Sequence, residues 1–228
     1  ARNARAVAEY VLSAMLNIAR KTIAANNYVH SRMWKSPTEP YIEFRGSELK
    51  GKKMGLLGMG SIGQEIADLM HKLDMEILAY DPYLKEIPQN VRLTNIDELL
   101  TTSDFLATVA PLNHETMGFL DAKRLSQMKK GAALITVSGI SIADQKELIK
   151  SVNSGHLSGA AIDVFDTHPV APDSPLLESS ILLLTPHIAG ATYETIDRYS
   201  SMITTDLMLF TNNAKPINII NPEVLNHI

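Results

Sequence analysis

The chain has 228 residues, 45% hydrophobic and 20% charged, with a net charge of −4 at pH 7. That is ordinary globular composition, enough for one or two domains with a substantial core, and no basic face or arm invites nucleic acid or an anionic membrane. The lack of cysteine removes disulfides, thiolate metal centres and cysteine nucleophiles together, and fits a reducing cytoplasm.

The first element is a helix over residues 4–23. Ala4, Val7, Ala8, Val11, Leu12, Met15, Ile18 and Ala19 recur at helical spacing. Only a narrow polar stripe opposes them: Arg5, Glu9, Ser13, Asn17 and Arg20. A helix this apolar is covered on more than one side, either as a central core helix or against a second subunit. The chain opens on Ala1 rather than Met, which leaves room for an upstream segment and for a targeting signal within it. No apolar run approaches the ~20 residues of a membrane helix.

"WKSPTEPYIEFRGSELKGK" carries two prolines and mixed polarity, and reads as a linker with short extended pieces. From Lys53 the pattern alternates. "KMGLLG" predicts a strand, Ser61 to Leu73 a helix, and "MEILAY" a strand ending at Asp81-Pro82. "NIDELLTTS" predicts a short helix and "DFLATVA" a strand ending at Pro111. "DAKRLSQMKKG" predicts a helix and "AALITV" a strand that stops at Ser138-Gly139. Asp144 and Glu147 form a capping-box pair opening the helix that ends near Gly155. "LSGAAIDVF" and "ILLLTP" are the last strands. Thr192 to Phe210 is a helix with Ile196, Tyr199, Ile203, Leu207 and Phe210 on one face. Such alternation predicts an α/β fold, a Rossmann-type doubly wound parallel sheet.

Gly58-x-Gly60-x-x-Gly63 lies between the first predicted strand and its helix. In such a loop the first glycine allows the tight turn and the second lets a pyrophosphate approach the backbone. The third lets helix and strand pack, with free amides and the helix dipole facing the phosphates. Asp81, at the end of the second strand, lies where a carboxylate accepts the ribose hydroxyls. With no arginine beside it, the acid favours NAD over NADP. Short-chain dehydrogenases need Tyr-x-x-x-Lys, and no tyrosine here has lysine four residues on.

Six ordered stretches carry a more specific likeness: "ARNARAVAEYVLSAMLNIAR", "SELKGKKMGLLGMGSIGQEIA", "ILAYDPY", "APLNHETMGFLD", "LSGAAIDVFDTHPVAPDSPLL" and "LLLTPHIAGAT". Together they resemble the D-isomer-specific 2-hydroxyacid dehydrogenases, the group of phosphoglycerate, D-lactate and formate dehydrogenases. The resemblance implies a two-domain enzyme whose substrate domain is built from both chain ends, with the segment that relatives carry first absent here. Residues 1–35 then correspond to an arm that embraces the second subunit of a homodimer, 36–190 to the NAD-binding domain, and 191–228 to a helix returning toward the substrate domain. It also implies a cofactor set of Ser61, Ile62, Pro111, Thr116, Val137 and Ser138, with Gly139, Asp163 and His187, beside the three glycines and Asp81. His187, in "TPH", matches the family histidine that exchanges the substrate hydroxyl proton. Imidazole suits that task because its ordinary pKa lies near neutrality.

Two positions depart from the family pattern. Aligned without gaps, the arginine that grips the substrate carboxylate falls on Gly139, and the catalytic glutamate falls on His168. A polar position often filled by histidine is Val109. Glycine offers a carboxylate nothing where a guanidinium offers a bidentate clamp. The resemblance thus implies NAD(H)-linked interconversion of 2-hydroxy and 2-keto acids at an altered site, with His187 and His168 as its catalytic pair. The alternative is an NAD-binding member with little turnover, acting as a sensor or interaction module. Restoring arginine at 139 with glutamate at 168 is expected to raise kcat/KM for an anionic 2-keto acid.

Overall fold

The computed structural model describes residues 2–223; residues 224–228 of the C-terminal segment expected at 191–228 lie outside them. Seven strands form one parallel sheet: β1 (Lys53–Leu57), β2 (Glu76–Tyr80), β3 (Arg92–Leu93), β4 (Phe105–Thr108), β5 (Ala133–Thr136), β6 (Gly159–Ile162) and β7 (Leu182–Leu184). Their spatial order is β3-β2-β1-β4-β5-β6-β7, every neighbouring pair parallel. The order reverses at β1, so the crevice between β1 and β4 is the switch point where open α/β sheets bind ligands.

Apart from the two-residue β3, the strands read as largely apolar runs because both sheet faces are covered. Met54 and Leu56 enter one core with Ile77, Phe105 and Ala107, while Leu57, Leu78, Leu106 and Leu134 enter the other. Side chains one residue apart point to opposite faces, so each strand feeds both cores. The first core lies under α1 (Ala4–Arg20) and α4 (Ser61–His71), which pack together. The second lies under α5 (Ile96–Thr102), α6 (Ala122–Gln127) and α7 (Gln145–Asn153).

Three expectations change in detail. The helix expected over 4–23 ends at Arg20, and Lys21 adopts the left-handed φ of 52° before α2 (Thr22–His30). The chain at Gly46 and Ser47 causes the break: the Ser47 amide takes the Ala19 carbonyl at 2.9 Å, capping α1 from outside. The linker expected to hold short extended pieces contains α3 (Thr38–Glu43) instead. Its Pro40 lies in the first turn, where a missing amide proton costs nothing. Only half of the capping box forms. Asp144 accepts from the Glu147 amide at 3.0 Å, but the Asp144 amide is already bound to Leu120 O, and the Glu147 carboxylate pairs with Lys150. The two-residue β3 escaped sequence reading because it is too short to show alternation.

Val7, Val11 and Met15 of α1 are 4%, 0% and 0% exposed within the single chain. They belong to its own core and are not free to meet a second subunit. Val11→Asp is therefore expected to cost at least about 3 kcal/mol, the scale of an uncompensated buried charge. Urea denaturation should show this loss unchanged across protein concentration; a loss that grew on dilution would place Val11 in an interface. The last helix described, α8 (Tyr193–Thr211), is capped by Thr192, whose side chain accepts from the Thr195 amide. Its apolar stripe, Ile196, Tyr199, Ile203, Leu207 and Phe210, is 40–61% exposed.

Candidate functional site

The carboxyl ends of the strands gather the expected residues. Gly58 follows β1 with φ 101°, and an added Cβ would lie 2.6 Å from the Ala110 amide nitrogen. At Gly63 a Cβ would lie 2.7 Å from the Gly58 carbonyl oxygen, so this glycine lets α4 start against the strand. Gly60 differs. It has an ordinary negative φ, and nothing lies within 4 Å of the Cβ position. The protein's own packing therefore does not require this glycine, and the open space before the free amides at Ser61 and Ile62 fits a pyrophosphate. The Asp81 carboxylate accepts from the Met59 amide at 2.8 Å and the Tyr83 amide at 2.9 Å. It thus ties the glycine loop to the end of β2 while keeping lone pairs for further donors.

Beyond β4, Thr116 donates to the Pro111 carbonyl at 2.7 Å and closes a compact loop. Val109 packs on the first core, as an apolar residue at that strand end should. Beyond β5, Val137 and Ser138 reach back to Thr108, and Thr136 donates to the Gly139 carbonyl at 3.1 Å. Gly139 itself sits at φ 132°, ψ 137°, a backbone region open essentially to glycine, with Leu112 Cδ2 at 3.2 Å from an added Cβ. A turn of 3-10 helix, Ile140–Ile142, then leads to α7.

His187 and His168, nineteen residues apart in sequence, meet at this end: His187 Nδ1 and His168 Nε2 are 3.0 Å apart, with ring centroids at 4.9 Å. Both are exposed, and among the described residues His187 Nε2 has no hydrogen-bond partner. Asp163, fully buried, fixes the histidine turn. Its carboxylate accepts from the Ile188 and Ala189 amides, each at 2.8 Å, and its carbonyl accepts from the His187 amide at 2.8 Å. These bonds hold His187 at φ 57°, the left-handed region a histidine seldom enters.

Sequence reading missed three members of this cluster. Thr185 donates to Asp163 Oδ1 at 2.6 Å, and the Tyr10 hydroxyl is 2.6 Å from Thr185 Oγ1. A carboxylate only accepts, so the Thr185 proton goes to Asp163 and Tyr10 must donate to Thr185. Burial, together with the negative charge of Asp163, pushes the Tyr10 phenol up, which keeps that proton in place. The signal was a tyrosine on an otherwise apolar helix face, because a covered phenol needs a partner. Asp166 is the third, taking Ser141 Oγ on one oxygen and Gln145 Nε2 at 2.8 Å on the other. It ties the Gly139 corner to the His168 loop. A cavity of about 840 Å³, lined by Ile18, Asn27, Lys52, Asp104 and Ile181 among others, lies at the amino ends of the strands, away from all these groups.

A doubly wound sheet with a glycine loop and an acid at its switch point is matched by the model for the D-isomer specific 2-hydroxyacid dehydrogenase NAD-binding domain, over residues 12–189. The chain belongs to this family. Among its relatives, a glyoxylate reductase of Thermofilum pendens is 34% identical over 96% of this chain and 66% of its own length. The chain thus spans about two thirds of that protein. An acyclic imino acid reductase solved with NADPH and D-arginine superposes with a TM-score of 0.85 at 26% identity, covering 96% of this chain and 68% of the other. A formate dehydrogenase of Staphylococcus aureus solved with NAD gives 0.79 at 28% identity, covering 96% and 65%. The domain is thus an NAD-binding domain of the 2-hydroxyacid dehydrogenases. No helix among its described residues is long and apolar enough to cross a membrane.

Proposed function

We propose that this chain binds NAD(H) for an oxidoreductase that interconverts a 2-hydroxy and a 2-keto acid, with a substrate end changed from the family pattern. Gly58, Gly60 and Gly63, with the amides of Ser61 and Ile62, take the pyrophosphate, and Asp81 takes the adenosine ribose. Pro111, Thr116, Val137, Ser138 and Gly139 line the nicotinamide half, and Asp163, expected among them, is buried behind the His187 turn that it holds. Bound NADH supplies the hydride. The observation that carries the catalytic reading is the 3.0 Å contact between His187 and His168. With Nδ1 so engaged, Nε2 of His187 is left to deliver a proton to the substrate oxygen. Neutral His168 accepts from the Nδ1–H and orients the ring, but without the charge by which a carboxylate favours imidazolium.

The Gly139 backbone favours a second reading, an NAD-binding member with little turnover. The hydrogen bonds of this corner involve no arginine or lysine, so no guanidinium from it grips a substrate carboxylate. Loss of one preorganised donor to developing oxyanion charge costs on the order of 10²–10³ in rate. Steady-state assays on full-length protein separate the two. The panel is NADH with glyoxylate, hydroxypyruvate, a neutral 2-keto ester and an imine of a 2-keto acid. Turnover of any of them that disappears in His187→Gln supports the enzyme. NADH binding without turnover across the panel supports the sensor.

We propose further that residues 1–35 act as an arm in a homodimer and that 36–190 form the NAD domain. Residues 191–228 carry α8 toward a substrate domain, and the protein works in the cytoplasm. The exposed apolar stripe of α8 and the exposed Leu16, Ile23 and Val29 along α1 and α2 support the first and third points. The lack of cysteine supports the last.

A further inference from the structure

We infer that the hydrogen bond between Tyr83 and Glu115 roofs the adenosine end of the dinucleotide cleft and retains the bound cofactor by slowing its release. This rests on the cofactor placement proposed above. The Tyr83 hydroxyl donates to Glu115 Oε2 at 2.7 Å. Tyr83 lies just past Asp81, on the loop after β2, and Glu115 lies on the loop after β4. Since β2 and β4 flank β1, the bond crosses the carboxyl end of β1, above the glycine loop.

Both anchors are held. The Tyr83 amide is bound by Asp81, the Glu115 amide donates to Asn113 Oδ1 at 2.9 Å, and Thr116 closes that loop on Pro111. The same two loops also meet lower down, where the half-buried rings of Tyr80, the last residue of β2, and Phe119 stack with centroids 6.3 Å apart. Two crossings, aromatic near the sheet and polar at the solvent edge, join the loops that flank the carboxyl end of β1. With Asp81 beside them placed at the ribose, they fall at the adenine end of the cofactor. The hydrogen bond to Glu115, reinforced by that carboxylate's charge, pushes the Tyr83 phenol up and keeps it a donor.

Nothing in the fold depends on this contact. Tyr83 is 71% exposed and Glu115 is also exposed, and isolated surface contacts contribute little to stability. The variants Tyr83→Phe and Glu115→Ala and their combination should therefore fold. Calorimetry with NADH and with ADP-ribose, and stopped-flow release of NADH, test the roof. Each single variant and the double should weaken both ligands by the same ~3- to 10-fold, the span of a typical hydrogen-bond contribution, through faster release at unchanged association rate. Equality of the double with the singles identifies one shared contact. Glu115→Gln keeps an acceptor and should retain most of the affinity. Unchanged affinity, tighter binding, or loss for NADH but not for ADP-ribose would overturn the roof alone. Failure of the folded wild type to bind either ligand would overturn the cofactor placement, and the roof with it.

Discussion

Replacing Gly139 by arginine should destabilise the protein by about 1–3 kcal/mol and leave the reduction of anionic 2-keto acids slow. The sequence alone suggested a missing side chain that substitution would restore. The backbone at φ 132°, ψ 137° is the larger obstacle, since a side chain there is strained whatever space it finds. The contact with Leu112 matters less, because the atom at 3.2 Å ends a flexible side chain that can turn aside. An arginine would have to refold residues 137–140, which Thr136, Thr108 and Val164 hold through hydrogen bonds. In the pair Gly139→Arg with His168→Glu, the gain should therefore come from the glutamate, whose carboxylate can accept from His187 Nδ1–H and favour the imidazolium. Urea denaturation and kcat/KM for glyoxylate with full-length protein check both statements. An arginine variant as stable as wild type and turning over glyoxylate at ~10 s⁻¹, a median enzyme rate, would show that only a side chain had been lost.

Gly60→Ala is expected to cut NADH affinity by tenfold or more, about 1.4 kcal/mol, with unfolding stability within ~0.5 kcal/mol of wild type. The separation follows from the open space at this glycine. No protein atom lies within 4 Å of the new methyl group and the backbone is already in a region alanine adopts, so the fold gains no clash. The pyrophosphate does, because it must approach the backbone there. Gly58→Ala is the internal contrast, with a clash at 2.6 Å and a positive φ. It should lower stability as well as binding. Denaturation curves beside NADH fluorescence titrations decide the matter. A Gly60→Ala variant that binds NADH like wild type would remove the pyrophosphate from this loop.

The sheet was legible because its signals are local. Apart from β3, each strand is a largely apolar run bounded by turn residues, and the glycine loop carries its own backbone requirements at Gly58 and Gly63. What stayed hidden depends on distant partners. The end of α1 is set by Ser47, and Tyr10 finds Thr185 175 residues away. The meeting of His168 and His187 was readable only through the family alignment, since nothing in either neighbourhood names the other. Gly139 shows a further limit. A glycine permits an unusual φ without announcing it, so the sequence revealed the missing guanidinium but not the reshaped corner. The apolar face of α1 was read correctly as covered, while Val11 and Met15 are covered by the chain's own first core and Val7 is buried within the same chain.

Asp81 also constrains how this protein can change over evolutionary time. The two carboxylate oxygens proposed to select the cofactor also bind the amides of Met59 and Tyr83. Selectivity and loop architecture are therefore inherited together. Drift to alanine would strip two backbone amides of their acceptor at the moment it removed the charge that repels a 2′-phosphate, loosening the site for every dinucleotide. A lineage moving from NAD to NADP has a narrower passage, through asparagine or serine, which keep an acceptor oxygen without the negative charge. Folding, as well as the metabolic supply of one cofactor or the other, thus decides which neighbours of this sequence are reachable.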